Sequence, residues 1–227
     1  FADSVVVAAE QAVTFSSFPI ELGAFVEPYA VAVHAVKRAG VQAGDAVAIF
    51  GGGPIGLAVA QVAQVTGADP ILLSEPREFR RKRASECGVD IQVDPTETAV
   101  VQRIRAETSG GVNIAFEVAG APGVLDSAVR SVAPTGDVVV VSVTDGSVRL
   151  RPSAIVEGER SLTGTRAYLA GPRSHEEYET VVSMLADGQI DPTPLLTDQI
   201  GLDRIVAEGF ARLREPGNES LKILVRP

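Results

Sequence analysis

The sequence is poor in sulfur and in histidine: among 227 residues there are one cysteine, one methionine and two histidines. A lone cysteine, Cys87, excludes an internal disulfide framework and fits a reducing, cytoplasmic setting. No run of 18 or so apolar residues occurs, which argues against a membrane span, and no basic, apolar signal segment opens the chain. Positive charge is in deficit, with 20 Lys and Arg against 29 Asp and Glu and a net charge of −9, which argues against nucleic acid as a partner. The single methionine is Met184, so Phe1 does not follow directly from a start codon, and the expectation is that these residues are part of a longer chain.

What is present is an ordinary globular composition, 45% hydrophobic and 22% charged, in a length that suits one large domain or two small ones. Short apolar stretches alternate with helical patterns about every 20 residues. Residues 46–50 read as a buried strand. Residues 54–66 read as a helix with Pro54 in its first turn and Gly67 just past its end. Further strands are expected at 71–75, 91–93, 112–120, 137–143 and 161–168, with helices at 76–87, 96–110 and 121–132 between them. Strands that are apolar throughout are covered on both faces, so the fold class expected is α/β, a doubly wound parallel sheet with right-handed crossovers. Residues 1–27 break the alternation and read as β structure with turns. Beyond residue 170 come two amphipathic helical patterns, 174–188 and 202–217, and a last strand, 220–227. These flanks read as pieces of a second domain, giving boundaries of 1–28, 29–166 and 167–227.

The first strand runs into "FGGGPIG", in which Gly51, Gly53 and Gly56 form G-x-G-x-x-G. The motif is weak alone and gains weight here from the strand before it, the helix opening inside it, and an acid at the end of the next strand. Gly51 permits a tight turn, Gly53 lets backbone approach a pyrophosphate, and Gly56 lets the helix pack against the strand; Pro54 and Ile55 lie at the helix N-terminus, where free N–H groups and the helix dipole favour a phosphate. Glu75, about 20 residues beyond the motif, can accept both hydroxyls of an adenosine ribose and would repel a 2′-phosphate, which favours NAD over NADP. Arg77, Arg80 and Arg81 keep NADP open, since arginines just past that strand can bind the extra phosphate; alternatively they form a solvated helix face with Glu78 and Glu86. S-adenosylmethionine-dependent methyltransferases share the glycine turn and the acid, but their ligand has no pyrophosphate.

At this point the chain resembles the zinc-dependent medium-chain alcohol and polyol dehydrogenases, in particular the sorbitol and butanediol dehydrogenase branch. The likeness is carried by "FADSVVV", "VEP" with a following "VHA", "AGDAVAIFGGGPIG", "GVNIAFEVAG", "APTGDVVVVSV" and "LTGTRAY". It implies a Rossmann domain flanked by remnants of a GroES-like, mostly β catalytic domain. It implies that Val118 and Ala119, with Val141, Ser142 and Val143, line the nicotinamide half of the cofactor, that Thr165 and Arg166 lie near the nicotinamide amide, and that Arg80 packs on the adenosine. Glu27, in "VEP", matches a glutamate at or beside the catalytic zinc; read from the residues alone it is a helix N-terminal carboxylate favoured by the dipole. The family's other zinc ligands, its structural cysteine cluster and its proton relay match positions before Phe1, so no further catalytic residue is nominated and zinc is expected only with that upstream segment. Cys87 reads as a small buried hydrophobe, and His34 as a packed histidine.

The resemblance thus implies an NAD-dependent secondary alcohol or polyol dehydrogenase acting on a small alcohol or ketone and assembling as a homodimer or homotetramer through an edge of the cofactor sheet, with the present residues alone inactive. Two alternatives stay open: a zinc-free NADPH-dependent reductase of the same superfamily, and a truncated or non-catalytic nucleotide-binding module.

Overall fold

The structure, a computed structural model, describes Ala2, residues 4–144 and 146–168, Arg173, and residues 175–226. Phe1, Asp3, Ser174 and Pro227, which fall in segments assigned above, lie outside the described residues.

The alternation folds as its pattern requires. After a single helical turn, α1 (Ile20–Gly23), comes α2 (Val26–Ala39), and then six strands with intervening helices: β1 (Val47–Phe50), α3 (Pro54–Thr66), β2 (Ile71–Ser74), α4 (Glu78–Ser85), β3 (Ile91–Val93), α5 (Val100–Glu107), β4 (Val112–Glu117), α6 (Val124–Ser131), β5 (Val132–Val140), α7 (Pro152–Val156) and β6 (Ser161–Gly164). They form one parallel sheet in the order β3-β2-β1-β4-β5-β6. The chain builds outward from β1 to β3, returns to the other side of β1 at β4, and builds outward again. β1 and β4 are therefore neighbours whose onward connections leave in opposite directions, which opens a crevice at their carboxyl ends.

Side chains of β1 divide the core. Val47 and Ile49 pack with α2, α3 and α8 (His175–Ala186) on one face, while Ala48 and Phe50 pack with α5, α6 and α7 on the other. All four are buried, as a central strand covered on both faces must be. Pro54 starts α3, and Gly67, at φ +96°, ends it in the left-handed conformation that glycine adopts without strain.

The flanks depart from the expectation. Residues 4–16 form no ladder; they hold one 3-10 turn, Ala9–Gln11, and Val5 and Val6 are 82% and 99% exposed. Extended backbone becomes a strand only where a neighbour takes its N–H and C=O groups, and among the described residues this segment has none. At the other end, β7 (Leu196–Gly201) pairs in parallel with β8 (Lys222–Arg226), a strand pairing that the polar stretch "TDQ" gave no sign of. The pattern expected as one amphipathic helix winds instead as a 3-10 turn, a π-helical segment, Ile205–Ala211, and a last α turn, α9 (Arg212–Arg214). β5 begins before its apolar run, at Val132, because an irregularity between Val112 and Ile114 of β4 lets the strand pair from there, and it ends at Val140 rather than 143. No described helix is long and apolar enough to cross a membrane.

Candidate functional site

The crevice at the carboxyl ends of β1 and β4 holds two adjoining cavities, of about 710 Å³ and about 400 Å³, which share Gly53 and Val118 as walls. Such a switch point is where open α/β sheets bind their ligands. The glycines sit at its floor, and each has a separate steric reason. Gly51 has φ +117°, and an added Cβ would stand 3.1 Å from the backbone of Ala119. A Cβ on Gly56 would collide with the carbonyl oxygen of Gly51, a backbone atom that cannot turn aside. Gly53 is different: a Cβ there would meet nothing nearer than Arg80 Nη1 at 3.8 Å, so only a ligand would object to it. Gly53 precedes Pro54, Ile55 and Gly56 in the first turn of α3; Pro54 has no N–H, and those of Ile55 and Gly56 lack partners within the helix. A cradle left open by glycine at a helix N-terminus fits a pyrophosphate.

Glu75 closes the larger cavity from the β2 side. It is 3% exposed. Its Oε2 accepts the Gly52 N–H at 2.7 Å and its Oε1 accepts the Arg77 N–H at 2.9 Å. A carboxylate offers about four acceptor sites, so two ribose hydroxyls can still be accommodated. Arg80 Nη1 lies 3.7 Å from Glu75 Oε2, its Nε is buried with no partner, and burial lowers the guanidinium pKa below its ordinary value. Arg81 is committed elsewhere, to the carbonyls of Glu75 and Pro76 and to Asp94 at 2.7 Å. Arg77 is exposed at the wall of this cavity, and among the described residues its guanidinium has no acidic partner. Ala119 also lines this side.

The smaller cavity is lined by Glu27, Val31, Gly53, Pro54, Ile55, Gly56, Val118, Val141, Ser142 and Ala167. Val143, 89% exposed, and the exposed Arg166 line neither cavity. Thr165 donates its N–H to Val140 and buries an unpartnered Oγ1. Glu27 is exposed in the first turn of α2, and the described residues contain no group of three or more Cys, His, Asp and Glu side chains able to hold a metal. A catalytic zinc usually takes three protein ligands, so the described residues do not by themselves fit one. His34 bonds through Nδ1 to the buried Glu177 at 2.7 Å, and Cys87 is buried in the core.

One residue of the site escaped the sequence reading. Glu117, 3% exposed at the end of β4, accepts the N–H groups of Ala119 at 2.9 Å and Gly120 at 2.7 Å and the hydroxyl of Ser142. A charged residue next to "VAG" was its only visible signal, since its partners lie across a turn and just past the end of a different strand.

The sequence pattern of a family described as zinc-binding dehydrogenase matches residues 54–187. The chain is 39% identical over 208 residues to (R,R)-butanediol dehydrogenase of Bacillus subtilis strain 168, covering 91% of this chain and 58% of that protein. The crystal structure of 2R,3R-butanediol dehydrogenase from Bacillus subtilis superposes with TM-score 0.86 at 38% identity, over 93% of this chain and 59% of that one. A zinc-binding dehydrogenase structure from Sinorhizobium meliloti 1021, bound to NADP, superposes with TM-score 0.79 at 30% identity, over 90% of this chain and 59% of that one. The chain thus spans well under two thirds of the length of these relatives.

Proposed function

The chain belongs to the zinc-binding dehydrogenase family, and from that membership we propose that it is the cofactor-binding part of an NAD-dependent oxidoreductase of the alcohol and polyol type, which interconverts a secondary alcohol and its ketone. Residues 29–166 are assigned to the dinucleotide domain, and 1–28 and 167–227 to a second domain. The observation that carries the reading is the Gly53 cradle standing beside the buried Glu75 carboxylate, which is bonded to the neighbouring Gly52 N–H, in one cleft. The N-terminus of α3 would hold the pyrophosphate, Glu75 would accept the adenosine ribose hydroxyls, and Arg80 would cover the adenosine. Val118, Val141 and Ile55 would exclude water around the nicotinamide, with Ser142 toward its polar edge. The chemistry such a cofactor supplies is hydride transfer at the nicotinamide ring. No metal step is derived, because among the described residues Glu27 is the one donor at that cavity. The exposed edge of β6, where Leu162 is 41% exposed, suits pairing into a homodimer or homotetramer.

A second reading, NADP in place of NAD, has a specific observation in its favour: the guanidinium of Arg77 at the cavity wall, which has no acidic partner among the described residues. Calorimetric titration with NADH and NADPH separates the two. NADH binding about tenfold or more tighter is expected, the discrimination a buried carboxylate gives against a phosphate it would repel. Tighter binding of NADPH overturns NAD as the cofactor, and absence of binding to both overturns the proposal.

A further inference from the structure

We propose that Glu117 is a positioning residue for the nicotinamide half of the cofactor; the inference rests on the dinucleotide reading above and adds a residue that acts behind the cavity wall. Glu117 lines neither cavity. A buried carboxylate is costly unless it is hydrogen-bonded, and among the described residues no cation pairs with this one. Every observed partner is instead part of the wall or directly beside it. Oε1 takes the N–H groups of Ala119 and Gly120, and Oε2 takes the Ser142 hydroxyl. The Glu117 carbonyl takes the N–H groups of Val141 at 2.9 Å and Ser142 at 3.2 Å. One residue therefore ties the turn after β4 to the end of β5.

The geometry of that turn has little slack. Gly120 is left-handed at φ +64°, and an added Cβ there would stand 3.0 Å from Thr144 and 3.3 Å from Ser142. Ala119 backs the Gly51 turn at the distance at which any Cβ on Gly51 would press on it. Val118, between Glu117 and Ala119, forms a wall of both cavities, and Val141 and Ser142 are walls of the smaller one. Removing the carboxylate would leave two part-buried N–H groups and a hydroxyl without their acceptor, and the turn would move to find others. A shift there displaces the wall at the nicotinamide end, while the ribose acceptor, Glu75, stays anchored independently to Gly52 and Arg77.

The test compares affinity for NADH with affinity for ADP-ribose, which lacks the nicotinamide, by calorimetry on the same chain. Glu117→Ala should weaken NADH about tenfold and ADP-ribose about twofold or less, the larger loss matching one charge-assisted hydrogen bond. Glu117→Gln keeps an acceptor for the two N–H groups and should return both affinities to within about threefold of the parent. Equal losses on the two ligands, as general structural damage would give, overturn the proposal, and so does an unchanged NADH affinity. If Glu117→Ala does not fold, Glu117→Asp, whose shorter side chain cannot span both the turn and Ser142, carries the test: about threefold weaker NADH with ADP-ribose unaffected supports the proposal, and parental affinity for both overturns it. A parent chain that binds neither ligand overturns the dinucleotide reading, and this inference with it. A parent that binds both while Glu117→Ala loses them equally overturns the inference alone.

Discussion

Glu75 and Glu117 flank β1 on its two sides, each 3% exposed and each bonded to backbone N–H groups near the glycine turn. They use their charge differently. Glu75 faces the larger cavity, has Arg80 beside it, and spends one bond on each of two separate segments, Gly52 and Arg77. Glu117 stands behind the wall and concentrates its bonds on the turn after β4 and on Ser142, just past the end of β5. The comparison teaches that burial and hydrogen bonding alone do not separate a ligand-facing carboxylate from a wall-holding one. What separates them is whether acceptor capacity remains on the cavity side, and whether the bonded groups are free to move if it is lost.

The largest effect expected from breaking this arrangement is at the glycine turn that both acids serve. Gly56→Ala drives a Cβ into the Gly51 carbonyl and should cost about 3 kcal/mol or more of stability, read as a fall in the thermal midpoint with loss of NADH binding. Gly53→Ala is its counterpart: the neighbouring protein leaves room, so the midpoint should hold while NADH affinity falls about tenfold or more. A lowered midpoint in Gly53→Ala would contradict the idea that ligand alone occupies that space.

Next in size is Glu75→Ala. Because the adenosine ribose is common to NADH and ADP-ribose, both should weaken together by about tenfold, in contrast to the split expected for Glu117→Ala. The preference for NADH over NADPH should shrink in the same variant. A Glu75→Ala protein that loses NADH but keeps ADP-ribose would reverse the assignment of the two sides.

The smallest effect is a reporter that should not move. Desolvation pushes the Cys87 thiol up to about 11 from an ordinary 9.0, with a Gln61 hydrogen bond only partly opposing it. A disulfide reagent at pH 8 should therefore label it slowly, and equally slowly in folded Glu75→Ala and Glu117→Ala. Faster labelling in one variant would mean that side has opened. The same group fixes an alkaline trend: the unfolded thiol loses its proton first, so stability falls as pH rises from about 9 to about 11, and Cys87→Ala should flatten that slope in a pH series of thermal midpoints.

Much of this site is local in origin. Gly51, Gly53, Pro54 and Gly56 are adjacent, and the turn they make is set by their own sterics. Glu75 is findable because it ends the next strand of a repeating unit of nearly fixed length. Glu117 is not, since its partner Ser142 lies 25 residues on, past the end of β5, and nothing in the residues between them announces the bond. The same holds for His34 with Glu177, and for Gln61, which bonds both the N–H and the carbonyl of Asp191. The N-terminal segment shows the converse error: an apolar, β-prone stretch, "SVVV", makes no strand among the described residues because propensity supplies no pairing partner.

The sequence by itself determined the parallel sheet, the glycine cradle and the acid beside it, because hydrophobic period, turn sterics and repeat length act over short stretches of chain. Tertiary structure alone decided the β7–β8 pair, the exposure of Val143 and Arg166, and the tying of the turn after β4 to Ser142 by Glu117. Those depend on which donors and strand edges come together in space, and a buried charge takes its role from whatever groups the fold brings within hydrogen-bond reach.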